Sequence, residues 1–239
     1  MPRARRAGSP RPPLAAEVRV NEERCPGVIL RTRPLTETSL IVHWLTPTLG
    51  RVATVAKGAR RAKSPFRGKL DLFYLADFSF SRSRRSDLHT LREVSVRELH
   101  VALRRDLALV EQASYAAMLI EQATEVETPL EEIFELFSGF LRALCECPSG
   151  ALGMLTFEVK LLEILGFAPD LTRARLSPGA VQFLEHLGAA DWPALPTLKP
   201  TRSQLGELER FAYDCLLASL ERVPAARAHA WHPPGTLPR

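Results

Sequence analysis

Residues 27–58 read GVILRTRPLTETSLIVHWLTPTLGRVATVAKG, and this stretch decides the fold that the sequence predicts. Three short runs are rich in β-branched and apolar residues, as strands are: 27–33, 39–46 and 51–58. Turn-forming residues at 34–38 and 47–50 separate these runs. In the third run Val52 and Thr54 lie on one side of a two-residue period, which is the period of a pleated strand. The stretch therefore predicts short strands joined by tight turns.

Two more runs downstream have the same character. Residues 69–81 (KLDLFYLADFSFS) are predicted as one long strand, and residues 88–96 (LHTLREVSV) as a fifth. Five short strands within about 70 residues favour a small β-barrel such as an OB-fold.

After Arg97 the apolar pattern changes to a helical one. Leu109, Ala113, Ala116 and Ile120 recur on one face of a first helix, and further helical segments follow. The sequence thus predicts an α+β protein in which a small β-barrel (OB-fold) precedes an all-α helical domain. The predicted divisions are a flexible basic tail at 1–22, an OB-fold nucleic-acid-binding domain at 23–98, an α-helical domain at 99–223 and a flexible Pro-rich tail at 224–239.

The charges are distributed unevenly along the chain. Residues 1–86 hold 18 Lys and Arg against 6 Asp and Glu, whereas residues 87–239 hold 14 against 21. A basic front half suits a nucleic-acid partner, because neutralised phosphates release condensed counterions. No apolar stretch approaches the roughly 20 residues of a membrane span, and the basic start lacks the apolar segment of a secretory signal. A cytoplasmic location is therefore expected.

The densest cluster of cations lies in the loop after the third strand. Lys57, Arg60, Arg61, Lys63, Arg67 and Lys69 fall within thirteen positions that contain no acid. Cations that follow phosphates and aromatic rings that stack on bases are the usual means of binding single strands. The candidate DNA-binding residues are Arg31, Arg33, Arg51, Lys57, Arg60, Arg61, Lys63, Phe66, Arg67, Lys69, Arg82, Arg84 and Arg85. The alternative is a solvated loop that is basic for solubility.

No pattern in the sequence indicates catalysis or a bound metal. The P-loop, the dinucleotide fingerprint and the common hydrolase motifs are absent. Of the four cysteines, the one close pair is Cys145-x-Cys147, which does not have the spacing of a zinc ribbon. We therefore expect a protein that is not an enzyme and has no cofactor.

The run from Gly27 to Phe78 resembles the RecO family of bacterial recombination mediators. The similarity lies in an opening G-V-I-L-R-T-R strand, a T-P-x-x-G-R-V turn and strand, and a V-A-K-G-A-R-R-x-K-S loop that leads into K-L-D-L-F. It continues more weakly through residues 158–171 (EVKLLEILGFAPDL). The resemblance implies an OB-fold followed by helices, without catalytic residues. It also implies binding of single- and double-stranded DNA, strand annealing, and action with RecR to help load RecA recombinase onto DNA coated with single-strand DNA-binding protein.

The resemblance extends to individual residues of the DNA-binding surface. The positions that match the family pattern are Arg31, Lys57, Arg60, Arg61, Lys63 and Arg67, while the other cations are added on charge alone. Many relatives carry two C-x-x-C pairs after the segment that ends here at Leu171, but this chain has no cysteine there, so no zinc site is predicted. A nucleoid-associated location follows from the same resemblance. An RNA-binding or ribosome-associated OB-fold module and a non-enzymatic interaction scaffold remain as alternatives.

Overall fold

A computed structural model of the chain describes residues 22–168, 171 and 176–231. Five strands form a closed barrel in the order β1-β2-β3-β5-β4. Their bounds are β1 Glu22–Pro34, β2 Leu40–Thr46, β3 Gly50–Ala56, β4 Leu75–Ser81 and β5 Leu88–Glu98. The first strand is long enough to pair with β4 through its first half and with β2 through its second half. The pairing of β3 with β5 is parallel and the other pairings are antiparallel. The predicted barrel is confirmed.

The predicted strand at 69–81 is wrong in its first half. The strand β4 begins at Leu75, and residues 57–74 form a series of turns instead. Phe73 has a positive φ of 63°, which is incompatible with extended backbone. Leu70 packs on the core of the barrel, whereas Phe73 packs on the helical core. Leu72, next to Phe73, also packs on the helical core, so the apolar residues of this segment serve two cores and not the two faces of one strand.

The barrel has a core of its own around Trp44. The indole ring stacks on Phe78 with the ring centroids 4.1 Å apart, and its Nε1 donates a hydrogen bond to Oγ1 of Thr54 at 2.9 Å. This bond satisfies the one polar atom of a fully buried side chain. The same core receives Phe66 from the loop that follows β3.

In the part of the chain that the structure describes, six helices follow the barrel and pack around a second, larger core. Their bounds are α1 Leu107–Ala123, α2 Glu131–Glu146, α3 Ala151–Ile164, α4 Pro178–Ala189, α5 Arg202–Leu220 and α6 Arg227–Trp231. Short 3-10 helices occur at Val101–Arg104 and Trp192–Thr197. Phe157 of α3 contacts both Phe137 and Phe140 of α2. Since α3 also contacts α4, α5 and α6, it lies at the centre of the helical part. The predicted all-α second half is confirmed.

The expectation of a flexible tail at 224–239 is wrong for residues 224–231. These residues end in α6, which packs against α1 and α3. Arg227 donates two hydrogen bonds to the carboxylate of Glu158, at 2.8 and 2.9 Å, and the Trp231 Nε1 donates a third at 3.0 Å. Glu158 is fully buried, and a buried carboxylate requires such partners. Residues 1–21 and 232–239 of the predicted tails lie outside the described residues.

The barrel and the helices share the larger core. Val28, Leu30 and Leu45 point out of the barrel and pack among the helical residues. At Gly50, φ is +65° and a Cβ atom would lie 1.8 Å from the carbonyl oxygen of Thr128. The segment between α1 and α2 therefore lies directly against the barrel backbone.

Candidate nucleic-acid interface

The basic loop, which we define as residues 57–69, is a compact series of turns. Backbone N–H groups bond to carbonyl oxygens three residues earlier, as from Arg61 to Gly58 at 3.1 Å and from Ser64 to Arg61 at 3.1 Å. Gly58 and Gly68 have positive φ angles of 70° and 71°, which glycine adopts without steric cost. The loop therefore presents its side chains from a defined backbone.

Phe66 anchors this loop to the barrel. Its side chain is 7% exposed and belongs to the core that surrounds Trp44. Sequence reasoning gave Phe66 the role of stacking on a base, but the buried ring has little surface free for that contact. The structure instead gives it a packing role, which fixes the position of the cations on either side.

The six cations of the basic loop are exposed to solvent. Within the described residues, none of them forms an ion pair. Arg60 and Arg67 donate to the backbone carbonyl oxygens of Thr36 and Ala62, at 3.5 and 3.3 Å. A groove of about 350 Å³ beside the loop is lined by Arg60, Arg61 and Arg67. These charges are consequently available to an anionic partner.

Three of the predicted cations have intramolecular partners instead. Arg31 forms an ion pair with Glu121, with Nε 3.0 Å from Oε1, although the geometry is not that of a hydrogen bond. Arg51 donates to the carbonyl oxygen of Thr124 and is half-buried, and burial lowers its pKa. Both side chains therefore hold the barrel against α1.

Arg82 is the third cation with internal partners. Its Nε lies 2.6 Å from Oε1 of Glu23, and its Nη1 lies 2.7 Å from Oε2 of Glu127. Hydrogen bonds to these carboxylates raise the pKa of Arg82, chiefly the bond to Glu23. His89 also contacts Glu127, at 2.7 Å. Arg82 thus connects β1 to the segment after α1.

The remaining candidates, Arg33, Arg84 and Arg85, are exposed and form no ion pair with the described residues. Arg33 lies at the end of β1, and Arg84 and Arg85 lie in the loop between β4 and β5. Near Arg33, burial and the surrounding arginines lower the pKa of His43 to about 4. His43 is therefore neutral at neutral pH and adds no charge to this side of the barrel.

Sequence reasoning missed three cations that lie near Lys69. Arg24, Arg92 and Arg97 line a groove of about 780 Å³ together with Lys69. For Arg97 the signal was present in the sequence, since Glu93, Ser95 and Arg97 alternate with apolar residues along β5. Polar residues at every second position mark the outer face of a strand.

The described residues offer no site for metal binding or membrane crossing. No group of three His, Cys, Asp or Glu side chains converges in the described part of the chain. None of the helices in that part could serve as a membrane span, since none is both long and apolar enough.

Comparison with known proteins identifies the family. The family description "Recombination protein O N terminal" matches residues 20–100, and "Recombination protein O C terminal" matches residues 104–175. A relative from Rhodopirellula baltica, named DNA repair protein RecO, is 30% identical over 74% of each chain. Relatives of the same name from Listeria monocytogenes and an Anaeromyxobacter species are 29% and 35% identical over 64% and 61% of this chain.

The match is unequal in extent among these relatives. The chain spans 60% and 57% of the length of the Listeria and Anaeromyxobacter proteins. The two family descriptions nevertheless follow one another through the barrel and into the helices, in the order of the observed fold. This chain therefore belongs to the RecO family of DNA repair proteins.

Proposed function

We propose that the chain binds single- and double-stranded DNA through the basic loop. The observation that carries the proposal is that six cations are exposed within thirteen residues and form no ion pair with any residue that the structure describes. Their mutual repulsion disfavours the loop in the free protein, and phosphates relieve it. Binding of this kind is sequence-tolerant and weakens steeply as salt concentration rises. Arg33, Arg84 and Arg85 extend the positively charged surface.

The proposed role is that of a recombination mediator without catalytic activity. Cations that screen the phosphates of two strands let complementary strands approach, while the base edges stay free to pair. We propose that the chain anneals strands in this way and acts with RecR to help load RecA recombinase onto DNA coated with single-strand DNA-binding protein. Membership of the RecO family supports this role, as do the names of the relatives. Such a role implies a cytoplasmic, nucleoid-associated location.

The test is the binding of a fluorescent single-stranded oligonucleotide across a salt series. Each phosphate contact on a single strand contributes about 0.7 to the slope of log K against log salt concentration. Replacing Arg60, Arg61 and Lys63 together by alanine should therefore reduce the slope by about 2. A control variant removes the exposed Arg202, Arg210 and Arg222 of the helical part and changes net charge equally. If the loop variant and the control bind alike, the basic loop is not the interface.

Two further measurements separate the alternatives. Competition between DNA and RNA oligonucleotides of equal length distinguishes a DNA-binding protein from an RNA-binding module, because the 2′-hydroxyl distinguishes the two ligands. A variant that lacks residues 59–68 tests the scaffold interpretation. If that variant still captures RecR in the absence of nucleic acid while DNA binding is lost, the two activities are on separate surfaces.

A further inference from the structure

One edge of β5 is unpaired over most of its length. The strand pairs with β3 only at Leu88–Thr90, and from Leu91 to Glu98 its pairing is with β4 among the described strands. The basic loop lies opposite this edge, so that Pro65, Phe66 and Lys69 face residues of β5 across a groove of about 780 Å³. We name this the β5 groove. It is the larger of the two grooves that border the basic loop.

The β5 groove carries an excess of positive charge. Its lining includes four cations, Arg24, Lys69, Arg92 and Arg97, and two acids, Asp77 and Glu93. Arg24 pairs with Glu93 at 2.8 Å and Arg97 pairs with Asp77 at 2.6 Å. All four of these side chains are at least one-third exposed, and exposed ion pairs of this kind are weak enough to open for a ligand.

Lys69 and Arg92 have no ionic partner among the described residues. Arg92 donates from Nε to the hydroxyl of Ser81 at 2.7 Å, which holds the guanidinium group in place, and its other nitrogens have no hydrogen-bond partner in the described part of the chain. Nearby, the hydroxyl of Ser79 is buried and has no hydrogen-bond partner there either. Within the described ranges, the groove thus holds cations without ionic partners and a hydroxyl group whose hydrogen-bonding capacity is unused.

The usual ligand face of an OB-fold is partly covered in this chain. OB-folds bind oligonucleotides on the face formed by their second and third strands. Here Leu45 of β2 is buried in the helical core, and Arg51 of β3 reaches the carbonyl oxygen of Thr124. The pocket between Arg51 and Glu121 has a volume of about 20 Å³, which is too small for a base. This end of the face is therefore closed to a bound strand.

We infer that single-stranded nucleic acid runs from the groove beside Arg60 and Arg61 over the basic loop into the β5 groove. Phe66 lines both grooves, so they lie on the two sides of one anchored residue. Arg92 binds a phosphate in the β5 groove, in addition to the contacts made by the basic loop, which include Lys69. This path rests on the proposed function, because it extends the DNA site of the basic loop and does not replace it.

The test compares a groove variant, Arg92→Gln, which leaves every cation of the basic loop in place, with the loop triple alanine in the same salt series. Loss of one phosphate contact should reduce the slope for the groove variant by about 0.7. Arg92→Lys should keep the full slope, because it keeps the charge. The control is Arg202→Ala, which changes net charge equally on α5. Circular dichroism verifies that each variant is folded.

The outcomes separate this inference from the proposed function. A reduced slope for both the loop and the groove variants supports the path. A reduced slope for the loop variant alone overturns the path and leaves the loop as the DNA site. Unchanged slopes for both overturn the path and the proposed function together.

A second measurement does not depend on affinity. The photo-crosslinking residue benzoylphenylalanine replaces Ser95, which is exposed and lines the β5 groove. It should crosslink to a bound single-stranded oligonucleotide, whereas the same residue at Ser203 of α5 should not. Crosslinking from position 95 to RecR but not to the oligonucleotide would assign the unpaired edge to protein docking and overturn the inference.

Discussion

The buried carboxylate of Glu158 should control the stability of the helical half. We predict that Glu158→Gln lowers the free energy of unfolding by about 3–5 kcal/mol, the usual cost of removing one member of a buried ion pair. Glu158 is fully buried and Arg227 is 8% exposed. The substitution leaves the Arg227 guanidinium group without a counter-charge and removes one acceptor of the bidentate pair at 2.8 and 2.9 Å.

Two other donors depend on the same carboxylate. The hydroxyl of Tyr115 donates to Oε1 at 2.7 Å and the Trp231 Nε1 donates to the same atom at 3.0 Å. Burial, followed by the negative charge of Glu158, raises the pKa of Tyr115, so its hydroxyl remains a donor at any pH of interest. A glutamine amide can retain at most part of this set, since one of its two terminal atoms is itself a donor.

Denaturant-induced unfolding followed by circular dichroism measures the effect. Glu185→Gln on the exposed surface of α4 is the matched control and should change stability by less than about 0.5 kcal/mol. Replacing both Glu158 and Arg227 with apolar residues should cost less than Glu158→Gln alone, because no buried charge is then left unpaired. A loss below about 1 kcal/mol for Glu158→Gln would refute the reasoning, as would a double variant less stable than the single one.

Three further predictions concern the barrel and its junction. An alanine in the left-handed region costs about 1–2 kcal/mol. Gly50→Ala should destabilise the protein by well over this amount, because its Cβ would lie 1.8 Å from the Thr128 carbonyl oxygen. Gly68→Ala, whose Cβ would meet no other atom, should cost only about 1–2 kcal/mol in the same unfolding measurement. In the folded protein the pKa of His43 is lowered to about 4, whereas in the unfolded chain it has its usual value of 6.5. As pH drops from 6.5 towards 4, the unfolded chain binds this proton before the folded protein does, so the contribution of His43 to stability falls. His43→Gln should therefore reduce the loss of stability between pH 7 and pH 5, and equal losses for both proteins would contradict this prediction. Phe66→Leu should keep oligonucleotide affinity, because the buried ring anchors the loop. A loss of about 1–3 kcal/mol in binding without unfolding would instead identify Phe66 as a stacking residue.

The sequence predicted the barrel well because strand signals are local. The alternation around Val52 and Thr54 and the turns on either side of Leu40–Thr46 need no knowledge of the rest of the chain. The same alternation failed at residues 69–74. There Leu70 and Phe73 enter two different cores, and a pattern along one segment cannot distinguish two cores from two faces.

For the candidate site too, the sequence shows the charge of each residue but not the distant residues that it contacts. The charge of Arg31, Arg51 and Arg82 is visible in the sequence, but their partners lie 45 to 90 residues away, as for Arg31 with Glu121 and Arg51 with Thr124. The run at 224–231 was assigned to a tail because its composition has no periodicity. Its partner Glu158 is 69 residues before Arg227, and no local pattern connects the two.

The position of α6 has a consequence for synthesis on the ribosome. All strands of the barrel have been made once residue 98 is complete, but Glu158 gains its last partners only when Arg227 and Trp231 have emerged. At about 5–20 residues per second, the 133 residues between positions 98 and 231 take roughly 7–27 s to translate. During that interval the helical core on which the outward-facing Val28, Leu30 and Leu45 pack is still incomplete. The nascent chain thus exposes an apolar surface for several seconds. During this time a chaperone would protect it from aggregation.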